Sequence, residues 1–279
     1  MSPESPSPNK GVPVIKMRAV GAASLSDPEK IQVSGVDWTV AQGDFWVLGG
    51  PQGSGKSDFL GMIGGLTAPA GGDYYFLGEA MPIFDEERLA QRLKLGLVFD
   101  GGRLFNHLTV FENVALPLRY HHNLGPGEAE PEVRRMLELT GLTSWADSTP
   151  GAMPRNWQQR AGLARALMLR PEVLLLDNPL TGLDLRHRAW WLEFLGQLWR
   201  GHPSLGGKPA TLIATADDLR PWRNLARHFA VLSGGRFRTL GSWAQAEAVD
   251  DPAVHELVAM SPVTVGAGGQ IESNKPDQN

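Results

Sequence analysis

Residues 49–57 read GGPQGSGKS, so Gly50 is followed after four residues by Gly55, Lys56 and Ser57. Glycine tolerates left-handed backbone, which lets successive N–H groups turn inward onto one anion. A lysine at the end of such a turn offers a point charge to the β- and γ-phosphates of a nucleotide, and the serine offers a hydroxyl to Mg2+. A second metal donor comes later. The apolar run VLLLD (173–177) ends in Asp177, a carboxylate of the kind that holds the same cation. A glycine-rich turn can match the spacing by accident. Here a strand-like run precedes the loop, a helical pattern follows it and Asp177 lies downstream, so a nucleoside triphosphate site is the better reading.

These residues need rigid elements beneath them. DFWVLGG (44–50) reads as a strand entering the loop, and DFLGMIGGL (58–66) as a helix leaving it. VLLLD follows Pro171 and is apolar throughout, as a strand buried on both faces should be, and TLIAT (211–215) is a second such run. FAVLSGGRFRTLG (229–241) reads as a hairpin turning at its Gly-Gly pair. Short strands alternating with helices predict an α/β fold with a mostly parallel sheet. From about 84 to 157 the pattern turns mainly helical. EPEVRRMLELTGL (130–142), with Val133, Met136, Leu137 and Leu139 at helical spacing, predicts a helical insert within the α/β domain. In LRHRAWWLEFLGQLWR (185–200), Trp190, Trp191, Phe194, Leu195 and Leu198 form a stripe expected to be core.

Bulk composition narrows the function. The 279 residues can bury a full core, and 42% hydrophobic with 20% charged residues is ordinary for a globular chain. A net charge of −4 argues against broad binding to nucleic acid. Without cysteine, disulfides and thiolate metal sites are excluded. The seven histidines show no metal-ligand spacing, and His121-His122 reads as solvated loop. No run approaches the roughly 18 to 20 apolar residues that span a bilayer. The ends, 1–13 and 259–279, read as disordered tails around an ordered domain at 14–258.

Three segments together carry a family resemblance: LFNHLTVFENVALPLR (104–119), RAGLARALMLRPEVLLLDNPLTGLD (160–184) and AVLSGGRFRTLGS (230–242). They resemble the ATP-binding subunits of ABC transporters. LTVFENVALPLR and DDPAVHEL (250–257) look most like the ATPase of MCE-type systems, which carry phospholipid between the membranes of Gram-negative bacteria. The resemblance implies a RecA-like P-loop α/β core with an antiparallel β portion and a helical insert. It implies ATP and Mg2+ as cofactors. It carries nucleotide contacts onto Gly50, Pro51, Gln52, Gly53, Ser54, Gly55, Lys56, Ser57, Asp58 and Asp184, and metal contacts onto Ser57, Asp177 and Asp100. Two such subunits would pair head to tail around two ATP molecules. They would drive a transmembrane permease from the cytoplasmic face of the inner membrane, with an MCE-domain protein as a further partner.

The sequence departs from the family where hydrolysis happens. The glutamate expected after Asp177 is Asn178, whose amide can hold a water but cannot take up a proton. The switch histidine is Ala216, and the glutamine expected near the metal is Asp100. The signature loop, usually L-S-G-G-Q, falls on MPRNW (153–157). Pro154 there lacks a hydroxyl and an N–H, and Arg155 and Asn156 stand where glycines allow close approach. The aromatic expected to stack on adenine is missing from GAASLSDPEK (21–30). General-base assistance is typically worth about 10²–10⁴ in rate, and a lost γ-phosphate donor about 10²–10³. The predicted outcome is ATP binding with hydrolysis impaired. Two other readings stay open: a non-catalytic ATP-dependent dimerisation or regulatory module, and an active ATPase that uses Asp100, Asp217 or Asp218 as a substitute carboxylate.

Overall fold

A computed structural model describes residues 13–82 and 86–259. The sequence-predicted tails fall outside them, apart from Pro13 and Ala259, and Pro13 opens the first strand. The chain begins with β1 (Pro13–Ala23), β2 (Ile31–Ala41) and β3 (Phe45–Gly49), followed by α1 (Lys56–Ile63). Two short strands, β4 (Gly71–Phe76) and β5 (Glu79–Ala80), precede the short helix α2 (Leu89–Arg92) and β6 (Leu95–Val98). A helical arm follows, with α3 (Val110–His121), α4 (Pro126–Leu139) and α5 (Arg155–Leu167). The chain returns through β7 (Val173–Leu176), α6 (Leu185–Arg200), β8 (Thr211–Ala216) and the hairpin of β9 (His228–Ser233) and β10 (Arg236–Gly241). It ends in α7 (Trp243–Glu247) and α8 (Pro252–Val258).

The strands make one sheet in the order β5-β4-β1-β2-β10-β9-β3-β8-β7-β6. Its parallel half runs from β9 through β3, β8 and β7 to β6, and β1, β2 and β4 pair antiparallel in the other half. The central strands are apolar throughout because successive side chains feed two different cores. In β7, Val173 and Leu175 pack on one face while Leu174 and Leu176 pack on the other. β3 divides the same way, with Phe45 and Val47 on the side of the helical arm and Trp46 and Leu48 on the side of α1. The Gly234-Gly235 turn has φ of 56° and 71°, as a tight hairpin requires.

Two sequence expectations change. The stretch 84–157, read as mainly helical, contains β6, which pairs in parallel with β7 from Leu95↔Val173 to Val98↔Leu176. Four residues, LGLV, are too short a run to be told from a helix by periodicity. The pair read as loop, His121-His122, instead ends and caps α3. The aromatic stripe of α6 is core as expected: Trp191, Phe194, Leu195 and Leu198 are buried, and Trp190 stacks on Phe194 at 4.8 Å. Trp190 and Trp157 also flank the Arg160 guanidinium, at 3.6 and 4.5 Å to the ring centroids. Burial of Arg160 pushes its pKa down to about 10, and the two aromatic faces lie against the buried cation. Among the described residues no helix is long and apolar enough to cross a membrane.

The arm meets the segment after β6 at a place where backbone touches backbone. A capping box between Thr109 and Glu112 starts α3, and the buried Asn113 amide holds the preceding turn through Phe105, Leu108 and Thr109. Gly102, at φ 78°, lies directly against Gly162 of α5. A Cβ on Gly162 would stand 2.6 Å from the Gly102 Cα. In a free helix Gly→Ala is worth about 1 kcal/mol in favour of alanine. Here the obstacle is backbone, and overpacking of that kind costs about 1–3 kcal/mol. We therefore expect Gly162→Ala to lower the chemical-denaturation midpoint, while Gly151→Ala, where a Cβ meets nothing within 4 Å, leaves it within error.

Candidate nucleotide site

The loop between β3 and α1 opens at the C-terminal end of the parallel strands, where open α/β sheets hold ligands. Its glycines answer to specific constraints. A Cβ on Gly50 would run into the Leu232 carbonyl and reach within 2.6 Å of Ser54 Oγ, and Gly55 caps α1 in the left-handed region at φ 89°. The Lys56 ammonium is only 6% exposed. It donates to the carbonyls of Gly50 at 2.7 Å and Pro51 at 2.8 Å, and pairs with Asp217 Oδ1 at 2.9 Å.

The metal side is built from two strand ends. Ser57 Oγ donates to Asp177 Oδ1 at 2.9 Å, and Thr215 Oγ1 donates to the same oxygen at 3.0 Å. The Thr215 hydroxyl in turn accepts from the Asn178 N–H at 2.9 Å, so one buried hydroxyl ties the ends of β7 and β8 together. Burial pushes the Asp177 carboxyl above the usual carboxylate range, against these two hydrogen bonds. Hard oxygens from Ser57 and Asp177 beside a phosphate loop are a donor set that suits Mg2+.

The remaining sequence-predicted residues have other partners. Asp100 makes a 2.6 Å ion pair with Arg155, at the first position of α5, and its charge also acts on Asp177. Asp58 accepts the Leu25 N–H at 2.8 Å and so ties down the loop between β1 and β2. Asp184 caps α6 by accepting the His187 N–H at 2.9 Å. His187 links it to the first turn of α5: Nδ1 lies 2.8 Å from Asp184 and Nε2 lies 2.9 Å from the Asn156 amide nitrogen. With Asn156 donating, Nε2 accepts and Nδ1–H donates to Asp184. Ala216 is buried at the end of β8. Asn178 sits in the left-handed region at φ 49°, a conformation asparagine tolerates better than most residues.

Sequence reasoning did not identify Thr215 or the link from Lys56 through Asp217 to Asn178, since both depend on which strand ends become neighbours, nor His187, whose contact with Asn156 depends on how α5 and α6 pack. The loop fits a nucleotide's phosphates on the structure's own terms. Ser54 Oγ is buried without a hydrogen-bond partner, Gly53 faces open space, and the Lys56 charge is held in place with little water around it. A glycine loop between strand and helix, opposite a carboxylate from a nearby parallel strand, defines a P-loop nucleotide-binding domain.

Comparison with known proteins narrows this class. The sequence profile of the ABC transporter family matches residues 33–181, and the chain belongs to that family, whose ATPases bind ATP with Mg2+. It is 36% identical over 210 residues to the spermidine/putrescine import ATP-binding protein PotA of Trichodesmium erythraeum, a match covering 75% of this chain and 52% of that protein. It is 31% identical over 224 residues to the intermembrane phospholipid transport system ATP-binding protein MlaF of Escherichia coli strain K12, covering 80% of this chain and 81% of that one. Among solved structures, the dimeric post-hydrolysis state of the ATP-binding cassette MJ0796 bound to ADP and Pi aligns with a TM-score of 0.70 at 28% identity. That alignment covers 81% of this chain and 98% of the other. The chain thus spans about half the length of its PotA relative.

Thr215 gives a local test. Removing its hydroxyl leaves the Asn178 N–H unpaired and takes a donor from Asp177, and an unsatisfied buried group typically costs about 1–3 kcal/mol. Thr215→Val is expected to lower the unfolding midpoint accordingly, and Thr215→Ser to restore most of the loss.

Proposed function

We propose that this chain is an ABC transporter's ATP-binding subunit that serves phospholipid transport across a bacterial envelope and binds Mg-ATP while hydrolysing it slowly. The single observation that carries the proposal is the buried Lys56 cradle joined to the Ser57–Asp177 pair, with an amide, Asn178, where a base would stand. In this reading the loop N–H groups from Gly50 to Ser57 and the Lys56 ammonium bind the phosphates, and Ser57 and Asp177 hold Mg2+. Bound Mg2+ supplies charge neutralisation across the phosphate oxygens. Asn178 can orient a water but cannot accept its proton. Ala216 offers no polar side-chain atom, and Asp100 is engaged by Arg155.

The lipid assignment is supported by LTVFENVALPLR and DDPAVHEL, and by the match to the phospholipid-system relative over 81% of that relative's length, against 52% for the polyamine one. The chain would act as one of two ATPase subunits, a homodimer or a heterodimer, on the cytoplasmic face of the inner membrane. A permease and an MCE-domain protein complete the assembly. Purification from membranes in mild detergent should bring down a permease together with an MCE-domain chain. A permease accompanied by a soluble solute-binding protein instead would overturn the lipid assignment.

Two measurements test the site. Millimolar Mg-ATP, at about a hundred times Kd, stabilises a protein by about 2.7 kcal/mol, which for a domain of this size raises Tm by about 5–10 °C. Lys56→Ala should abolish that shift, and an equal shift in both proteins would argue against the site. For phosphate release, Asn178→Glu alone should gain less than about tenfold. The γ-phosphate would still lack the switch histidine and a proper signature, and a glutamate must adopt the left-handed backbone at 178. Asn178→Glu with Ala216→His and LSGGQ rebuilt at 153–157 should gain far more. Vigorous wild-type turnover, lost in Lys56→Ala, would overturn the slow-hydrolysis reading.

A further inference from the structure

Three acidic side chains, Asp100, Asp217 and Asp218, stand close in sequence to the positions where the family's hydrolytic groups are replaced, and the structure separates them. Asp100 is paired with Arg155 at 2.6 Å. Asp218 is clamped by Arg220, whose Nε and Nη2 reach its two oxygens at 2.7 and 2.9 Å and whose backbone N–H adds a third bond at 2.9 Å. Asp217 alone of the three faces the phosphate loop. Its Oδ1 lies 2.9 Å from the Lys56 ammonium, and its Oδ2 accepts from the Asn178 amide at 3.1 Å. The carboxylate therefore bridges the cation that grips the outer phosphates of a nucleotide and the residue beside which a water attacking the terminal phosphate would stand. A carboxylate between those two partners sets anionic acceptor oxygens where a terminal phosphate would bring its own.

We propose that Asp217 is a specificity-determining residue, an internal stand-in for the γ-phosphate that must be displaced before a nucleoside triphosphate can seat fully and that tilts the site toward the diphosphate. The inference rests on the reading of Gly50–Ser57 as a nucleotide loop. Two physical effects act together. While Asp217 holds Lys56, the buried ammonium already has a counter-charge, so any nucleotide that engages Lys56 must replace an existing pair. The second effect concerns the triphosphate only. Its terminal phosphate, with more negative charge than a carboxylate, competes for the same space and is repelled by Asp217 until that side chain swings out. The side chain is free to do so, being 42% exposed, whereas its neighbour Asp218 is locked by Arg220 and cannot take its place. Asn178 loses its acceptor at the same moment, so nucleotide binding also changes how the amide at the base position is held.

The test is direct binding of Mg-ATP and Mg-ADP to the full chain by calorimetry, for wild type, Asp217→Ala and Asp217→Asn, with unliganded Tm checked for each. A half-exposed ion pair is modest in strength, so the release of Lys56 should improve ADP affinity by about two- to threefold. ATP affinity should improve by about tenfold in Asp217→Ala, so that the ratio of the ADP and ATP dissociation constants moves at least threefold toward ATP. Asp217→Asn, which keeps the shape and removes the charge, should move it in the same direction by less. If wild type binds both nucleotides and the ratio stays the same in both variants, the inference fails and the nucleotide site stands. Lower ATP affinity in Asp217→Ala, together with loss of the wild-type phosphate release, would also overturn it and make Asp217 a catalytic group. If neither nucleotide binds any of the three proteins while all remain folded, the site reading fails and takes this inference with it.

Discussion

The burial of one ammonium group organises this site. A lysine that is 6% exposed cannot rely on water for its hydration, so its donors must find oxygens in the protein or on a ligand. Two of those oxygens are the carbonyls of Gly50 and Pro51, which can point at Lys56 only because the loop folds back over itself. That fold-back brings residue 50 against the Leu232 carbonyl and puts residue 55 in left-handed backbone, conditions that only glycine meets without strain. The glycine spacing, the strand that delivers the loop and the helix that leaves it all follow from holding one positive charge in a nearly dry cradle. With two carbonyl contacts made, the ammonium has room for an anion, and Asp217 takes that room in the structure.

The side of the site that holds the cation depends on the neighbourhood of strands rather than on a loop. Asp177 and Thr215 lie 38 residues apart and meet because β7 and β8 run side by side in parallel, with Leu176 opposite Ala214. The hydroxyl of Thr215 then fixes both the carboxylate and the first N–H of the following turn, which sets where Asn178 points. This scaffold is fully hydrogen-bonded around Asp177 and Asn178. The amide at 178 has neighbours that suit an amide: it donates to Asp217, and its backbone adopts a φ that asparagine accommodates. The start of α5 is tied down in the same way: Arg155, Asn156 and Trp157 engage Asp100, His187 and Arg160 in turn.

Local sequence carried the phosphate loop, the buried strands and the hairpin, because each rests on a short-range rule: glycine backbone freedom, two-faced burial or a tight turn. The Gly50–Ser57 spacing and the apolar run ending at Asp177 were legible for that reason. The strand β6 was not, because four apolar residues have no period to read, and its identity comes from pairing with β7. Asp217 was legible only as one acidic residue among three. Nothing within ten residues of it reveals that it reaches Lys56 and Asn178, contacts spanning 161 and 39 positions that exist because β8 lies between β3 and β7. Thr215 was hidden by its setting: in an apolar strand a threonine looks like a β-branched filler, and its hydroxyl matters only when the end of the next strand is known.

The bare contact between Gly102 and Gly162 has a mechanical consequence. Side chains between two elements act as a compliant layer, since their rotamers can absorb small displacements. Here backbone rests on backbone, and Arg165 fastens the joint by donating to the Gly102 carbonyl at 2.8 Å. A displacement of α5 at Gly162 therefore meets the segment after β6 directly, with no rotamer between them to adjust. That segment carries Asp100, and its far end is pinned by Asn113. The joint has the geometry of a hard bearing: the two backbones can slide or move together, but they cannot approach each other.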